Sequence, residues 1–249
     1  MDNQVTQKPK FPTEIVELPS KGLLYPKENP LSSGQIEMKY MTAREEDILT
    51  NQNYIQQGTV LDKLLESLIV SKIELKDILI GDKNAILIAS RILGYGQDYE
   101  FEHRGQVHKV DLTTLKDKEL PEDVDYTKGN EFYYTLPASG IEVGYKLLTH
   151  GDEIAVEAEL KGLKKLYPNG GTPELSTRLK YLITSVEGSN DRKTVREFVD
   201  NELLARDARS LRQEVQRISP DVDLTIKDDE GEDIAVPISL NFFWPDVNL

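Results

Sequence analysis

The chain has 249 residues, 38% of them hydrophobic and 30% charged, which is enough apolar material for a large folded unit and too much for a disordered one. Its formal net charge is −14, so phosphate polymers and anionic lipid repel it unless a local basic stripe intervenes. It has no cysteine, which excludes disulfides, thiolate catalysis and cysteine-ligated zinc, and no run approaches the roughly 20 apolar residues of a membrane span.

Residues 1–12 are polar, hold two prolines and lack the apolar run of a secretory signal. They predict a flexible arm and an aqueous, cytoplasmic setting. From Thr13 to Pro26, Ile15 and Leu18 predict a short extended segment, and Pro19, Gly22 and Pro26 forbid regular structure beyond it. Ile36, Met38 and Tyr40 alternate with polar neighbours, a strand pattern. Thr42 and Glu45 form a capping box that opens a helix over 43–51. Thr59 caps the next helix, whose Val60, Leu61, Leu64, Leu65, Leu68 and Ile69 share one face. A short helix is predicted over 73–80, ending at Gly81. Asp82 then caps 83–93, with Gly94 as its left-handed stop. That helix is apolar nearly all round, which marks it as the central one.

The period then changes. Tyr99, Phe101 and His103 alternate with acids, and Val107 and Val110 follow across Arg104-Gly105-Gln106, a hairpin pattern. Residues 116–130 are charged and turn-rich, hence a loop. Residues 131–136 and 141–148 flank Pro137-Ala138-Ser139-Gly140 as a second hairpin. Thr149 or Asp152 caps a helix that runs to Leu166, and Tyr167-Pro168-Asn169-Gly170-Gly171 stops it. Thr172-Pro173 restarts the helix, with Leu175, Leu179, Leu182, Ile183 and Val186 as its stripe. Helical spacing resumes over 194–218, as one helix or two. Val222, Leu224 and Ile226 alternate before a turn at 228–231, and Ile234, Val236 and Ile238 alternate after it. The expected fold is α+β: a mainly helical core, small antiparallel hairpins and an extended N-terminal arm. The stretches are 1–40 (arm and first strand), 41–97 (helical), 98–148 (hairpins), 149–220 (helical) and 221–249 (hairpin and aromatic tail), with 41–249 packing as one compact unit.

Chemistry-bearing clusters are sparse. His103 and His108 flank one hairpin turn and His150 is remote, which falls short of a zinc ligand set. Solvated or hydrogen-bonded histidines are the expectation. The acids cluster at Glu45-Glu46-Asp47, at Glu122, Asp123 and Asp125, and at Asp228-Asp229-Glu230. Glu45 and Glu46 lie where a first helical turn favours negative charge, and the last group lacks the spacing of a calcium loop. Gly94-Tyr95-Gly96 follows a helix, whereas phosphate loops precede one. The arginines at 192, 196, 206, 209, 212 and 217 interleave with acids, as on a salt-paired surface or a protein contact. The closing Phe242-Phe243-Trp244-Pro245 either folds back onto the core or anchors in a partner's pocket. No catalytic residue, metal or cofactor is expected, and the chain reads as something other than an enzyme.

Four segments carry a resemblance: Val16-Glu-Leu-Pro-Ser-Lys-Gly-Leu-Leu-Tyr-Pro26; Lys39-Tyr-Met-Thr-Ala-Arg-Glu-Glu-Asp-Ile-Leu49; Gly81-Asp-Lys-Asn-Ala-Ile-Leu-Ile-Ala-Ser-Arg-Ile-Leu-Gly-Tyr-Gly96; and Phe242-Phe-Trp-Pro-Asp246. Their order and content resemble the baseplate hub assembly family of T-even-like contractile phages. The resemblance covers about residues 14–100 and returns at the C-terminal end. It implies a structural or chaperone-like component of the hub, in the virion baseplate or in the infected host's cytoplasm. The implied partners are other baseplate, hub or tail proteins, with no nucleic acid and no membrane span. The surfaces to be expected are the proline-rich segment (Leu18, Pro19, Leu23, Leu24, Tyr25), the strand end and helix start (Tyr40, Glu45, Glu46) and the aromatic tail (Phe242, Phe243, Trp244). Members of that family carry CxxC pairs like a split zinc ribbon. Here Glu-His-Arg-Gly stands at 102–105 and Lys-Asp-Asp-Glu-Gly at 227–231. The two hairpins are therefore expected to survive without metal, as a degenerate ribbon able to meet in one small sheet. The competing expectation is a nucleic-acid-binding or regulatory module descended from such a ribbon, against which the net charge stands.

Overall fold

In the computed structural model, residues 12–168, 170–228 and 231–243 are described. Strand β1 (Thr13–Glu17) pairs antiparallel with β2 (Gln35–Lys39) across the loop 18–34. Ile36 and Met38 face the core, as their alternation predicts. Helices α1 (Ala43–Leu49), α2 (Gln52–Gln57) and α3 (Val60–Leu68) follow. Thr42 and Glu45 make the reciprocal capping box at the start of α1. The expected 43–51 helix stops early because Asn51 opens a new one, its side chain accepting from the N–H groups of Asn53 and Tyr54. Val60, Leu64, Leu65 and Leu68 form the buried face of α3.

The next stretch departs from expectation. Residues 73–80 hold only a 3-10 turn over Leu75–Asp77, and helix α4 spans Ile80–Tyr95. Asp82 is the third residue inside α4 rather than its cap, and Gly94 lies within the helix, which ends at Gly96. The two glycines serve packing instead. A Cβ at Gly81 would fall 1.8 Å from the Pro220 carbonyl oxygen, and one at Gly94 would fall 2.9 Å from Met41. α4 is the central helix, as its composition predicts, and Ile86, Leu87, Ile88, Ser90 and Arg91 are all buried on it.

β3 (Asp98–His103) and β4 (Gln106–Asp111) form a hairpin closed by Arg104 and Gly105, both at positive φ. β5 (Phe132–Thr135) and β6 (Glu142–Tyr145) form the second. Thr149 caps α5 (His150–Leu166) in a reciprocal box with Asp152. α6 (Glu174–Leu182) follows, with Pro173 just before it. The predicted stripe carried this helix on to Val186. Residues Ile183–Val186 instead form β7, which pairs with β6 to make a three-stranded sheet ordered β5-β6-β7. Ile183, Thr184 and Val186 are β-branched, and the sheet gives the buried Ile183 and Val186 a better seat than a helix end does. α7 (Arg192–Asn201) and α8 (Ala205–Ile218) are two helices, parted at 202–204. β8 (Thr225–Lys227) and β9 (Asp233–Ala235) form the last hairpin. Residues 1–11 of the expected arm, Asp229 and Glu230 of the acidic turn, and Trp244 with the residues after it lie outside the described residues.

The architecture is α+β, with helices around antiparallel sheets of two or three strands. The hairpins of β3-β4 and β8-β9 do not merge; each is its own two-stranded ladder. Side chains link them to a common floor: the Tyr99 hydroxyl donates to the Pro237 carbonyl at 3.3 Å, and the Tyr99 ring meets Phe242 edge-on at 4.7 Å. One hydrophobic cluster runs from Leu18 to Phe243, so residues 18–40 belong to the core rather than to an arm lying outside it. No helix among the described residues is long and apolar enough to cross a membrane.

Candidate interaction surface

Pro19, Gly22 and Pro26 keep the loop 18–34 irregular, yet it is tied down tightly. Lys21 and Gly22 both take positive φ, and a Cβ on Gly22 would meet the Ser32 carbonyl oxygen at 2.4 Å. The tie is Asp82 on α4. Its carboxylate accepts the Ser20 N–H at 2.9 Å, the Ser20 hydroxyl at 2.7 Å and the Tyr25 hydroxyl at 2.5 Å. The Tyr25 oxygen accepts the Leu79 N–H at 2.9 Å, and the Ser20 oxygen accepts the Gly22 N–H at 3.2 Å. Three donors of this network converge on one carboxylate. Burial pushes the Asp82 carboxyl above the usual range, against the hydrogen bonds from Tyr25 and Ser20 that favour its charge. Burial, with the Asp82 charge beside it, pushes the Tyr25 phenol far up. Asp82 also sits in the first turn of α4, where the helix dipole favours an anion.

A second buried acid is held differently. Glu45 is fully covered, and it accepts from Lys39 Nζ at 2.9 Å, Ser67 Oγ at 2.7 Å, Thr42 Oγ1 at 2.6 Å and the Thr42 N–H at 2.9 Å. Burial alone would raise its pKa, but the hydrogen bonds from Thr42, Lys39 and Ser67 outweigh it and hold the carboxyl at about 2, down from 4.5. A depressed folded pKa means the stabilisation is present above the unfolded value and is lost as pH falls through the folded one. Replacing Glu45 by Gln is therefore expected to cost about 3 kcal/mol at pH 7, and urea unfolding should show the gap to wild type closing as pH falls from 5 toward 2.

The segment 81–96 is α4 itself, and the described parts of the segments 16–26, 39–49 and 242–246 meet around it. Asp82 holds the segment 16–26. Met41 packs on Gly94, which brings in the segment 39–49, and burial together with the Glu46 charge pushes the Tyr95 phenol up. Arg91, almost wholly buried, donates to the carbonyl oxygens of Phe242 at 2.9 Å, Gly96 at 3.1 Å and Asp98 at 3.2 Å. Its guanidinium also lies 5.2 Å from the Tyr95 ring centre. Lys83 and Asn84 extend the ties. Asn84 donates to Asp221, while Lys83 bonds Asp62 at 3.2 Å and His150 Nδ1 at 2.9 Å. An ammonium only donates, so the imidazole proton sits on Nε2, which faces Asp62 at 2.9 Å. Burial opposes the charge on Asp62, but His150 and Lys83 hold its carboxyl below the usual range.

Of the residues expected at an interface, most are interior. Leu18, Pro19, Leu24, Tyr25, Glu45, Phe242 and Phe243 are buried, so their side chains build the core and offer no contact surface. For Phe242 and Phe243 the fold-back reading holds: they cross edge-on at 5.3 Å beneath Tyr99. Glu46 is exposed, Tyr40 is half-buried with its hydroxyl on Glu14, and Leu23 is 45% exposed. Leu23 borders a groove of about 730 Å³ between residues 22–27 and 127–131, with Lys27, Lys128 and Glu131 on its walls. Asp82 reads in the sequence as a helix cap and Arg91 carries no reading there; an acid and a base within an apolar helix is the signal that marks them as anchors.

Three surface arginines pair with acids, among them Arg196 and Arg217 of the arginines singled out at 192–217. Arg196 forks onto Glu159, Arg178 onto Glu153, and Arg217 onto Glu214 and Asp123. His103 and His108 face each other with ring centres 6.2 Å apart, and no group of three metal-ligating side chains occurs among the described residues. No protein-family model, curated protein or solved structure matches the chain.

Proposed function

We propose that this chain is a structural or assembly component of a contractile phage tail baseplate hub, working through protein–protein contacts and without a catalytic step. The observation that carries the reading is the convergence on α4: this helix is itself one of the four segments that resemble the hub assembly family, and the described parts of the other three are bonded or packed to it. The resembling residues thus build the framework of this chain rather than line a cleft, which supports a structural role over a catalytic one. The framework leaves Leu23 exposed on the groove at 127–131, and Glu46 exposed elsewhere on its outside.

The test is affinity capture of the tagged chain from cells producing contractile-tailed particles, at the stage of tail assembly. Hub, tube or other baseplate chains are expected to co-purify. Their absence, with the tagged chain soluble and folded, overturns the reading. Probing purified mature particles for the chain then separates a resident component from a helper that leaves.

A further inference from the structure

The turn between α5 and α6 gathers three large exposed apolar side chains in one place. Leu166 is 73% exposed, Tyr167 is 67% exposed and, across the turn, Leu175 is 47% exposed. A cleft of about 330 Å³ opens there, lined by Leu163, Tyr167, Gly170, Gly171 and Pro173, with Lys164 at its rim. Three lysines, Lys161, Lys164 and Lys165, crowd the last turns of α5, and all three are exposed. Lys161 pairs with Glu157 at 3.3 Å, while Lys164 and Lys165 ion-pair with no carboxylate among the described residues. The helix dipole accounts for lysines at a C-terminus. It does not account for large apolar side chains held in water beside them, which cost free energy in an isolated chain.

We infer that this turn is a docking site for an acidic peptide segment of a protein partner, one that seats an apolar side chain in the cleft while its carboxylates meet Lys164 and Lys165. Charge complementarity selects the acid: this is a local cationic, apolar spot on a chain of net charge −14. Concavity selects the protein. The cleft between Tyr167 and Pro173 takes an inserted side chain, which a lipid surface does not present, and the overall charge repels an anionic bilayer. A second copy of the chain brings the same net charge of −14 and is disfavoured by repulsion. The inference deepens the protein-contact reading above and rests on it only for the class of partner.

The experiment uses the purified full chain and a displayed random peptide library. The expected winners carry Asp or Glu next to Leu, Phe or Tyr. Their affinity should fall at least tenfold for the pair Lys164→Glu with Lys165→Glu, and at least tenfold for the pair Leu166→Ser with Tyr167→Ser. Raised salt should weaken the wild-type complex. Both pairs alter exposed side chains, so circular dichroism should match wild type. The inference is overturned if no peptide is enriched, if the winners are neutral, or if either variant pair binds them as wild type does. It is also overturned if the same variants abolish only flotation with phosphatidylserine vesicles or only self-association in sedimentation. Capture of tail proteins can succeed while this selection fails, so the two results are distinguishable.

Discussion

Replacing Asp82 by Ala is expected to destabilise the chain by about 3–5 kcal/mol, read from the midpoint of urea unfolding. The substitution strands the Ser20 N–H, the Ser20 hydroxyl and the Tyr25 hydroxyl as buried donors with no acceptor. Each such group costs on the order of 1–3 kcal/mol, and relief from burying a carboxylate offsets part of the sum. Asp82→Asn should cost less, about 1–3 kcal/mol, because one amide oxygen still accepts while the NH2 faces donors. The pH dependence has the opposite sign to that of Glu45. Burial raises the folded Asp82 carboxyl above its unfolded value, so its contribution is complete at low pH and declines as pH rises through the folded pKa. The gap between wild type and Asp82→Ala should therefore narrow as pH rises from below the unfolded carboxyl value. A gap that widens with pH would show instead that the hydrogen bonds from Tyr25 and Ser20, which favour the charged form, outweigh burial.

Arg91→Met tests the other end of the same helix. Methionine fills most of the space but gives no donor to the carbonyl oxygens of Phe242, Gly96 and Asp98. A loss of about 3–5 kcal/mol is expected, since hydrogen bonds from a charged donor contribute roughly 1.5–3 kcal/mol each and the desolvated guanidinium cost is recovered. The loss should also be local. Amide hydrogen exchange should quicken first at residues 240–243, whose seat against Tyr99 depends on the Phe242 carbonyl. Uniform quickening across the molecule would argue that Arg91 acts only through global stability.

What could be read in advance was whatever a few neighbouring residues decide. The Thr42–Glu45 and Thr149–Asp152 boxes are complete within four residues, and both form as expected. β2 and the β3-β4 hairpin are half-buried, and a half-buried strand writes its period directly into the sequence. Gly81 and Gly94 were misread because their reasons are distant: Pro220 and Met41 press against them, and no local pattern records that. Ile183 and Val186 fit a helical stripe and a strand equally well, and pairing with β6 decided between them. The candidate surface was the least legible. Leu18, Leu24, Tyr25, Phe242 and Phe243 look like anchors when read singly, and only the fold shows that they anchor the chain to itself. The α5–α6 turn, read as a mere stop, proved to hold exposed apolar side chains.

The reach of the Arg91 contact has a consequence for synthesis. The Phe242 carbonyl that it grips lies 151 residues downstream, on a 3-10 turn near the end of the described chain. A ribosome making the protein exposes α4 before that turn emerges, so the Arg91 flank of this buried helix stays uncovered while everything between them is made. Residues 240–243 thus act as a late seal: the guanidinium gains the Phe242 acceptor, and the floor under Tyr99 closes, only when they have left the exit tunnel. A chain broken off before residue 240 is expected to leave that seam open and to be digested faster by protease than the intact chain.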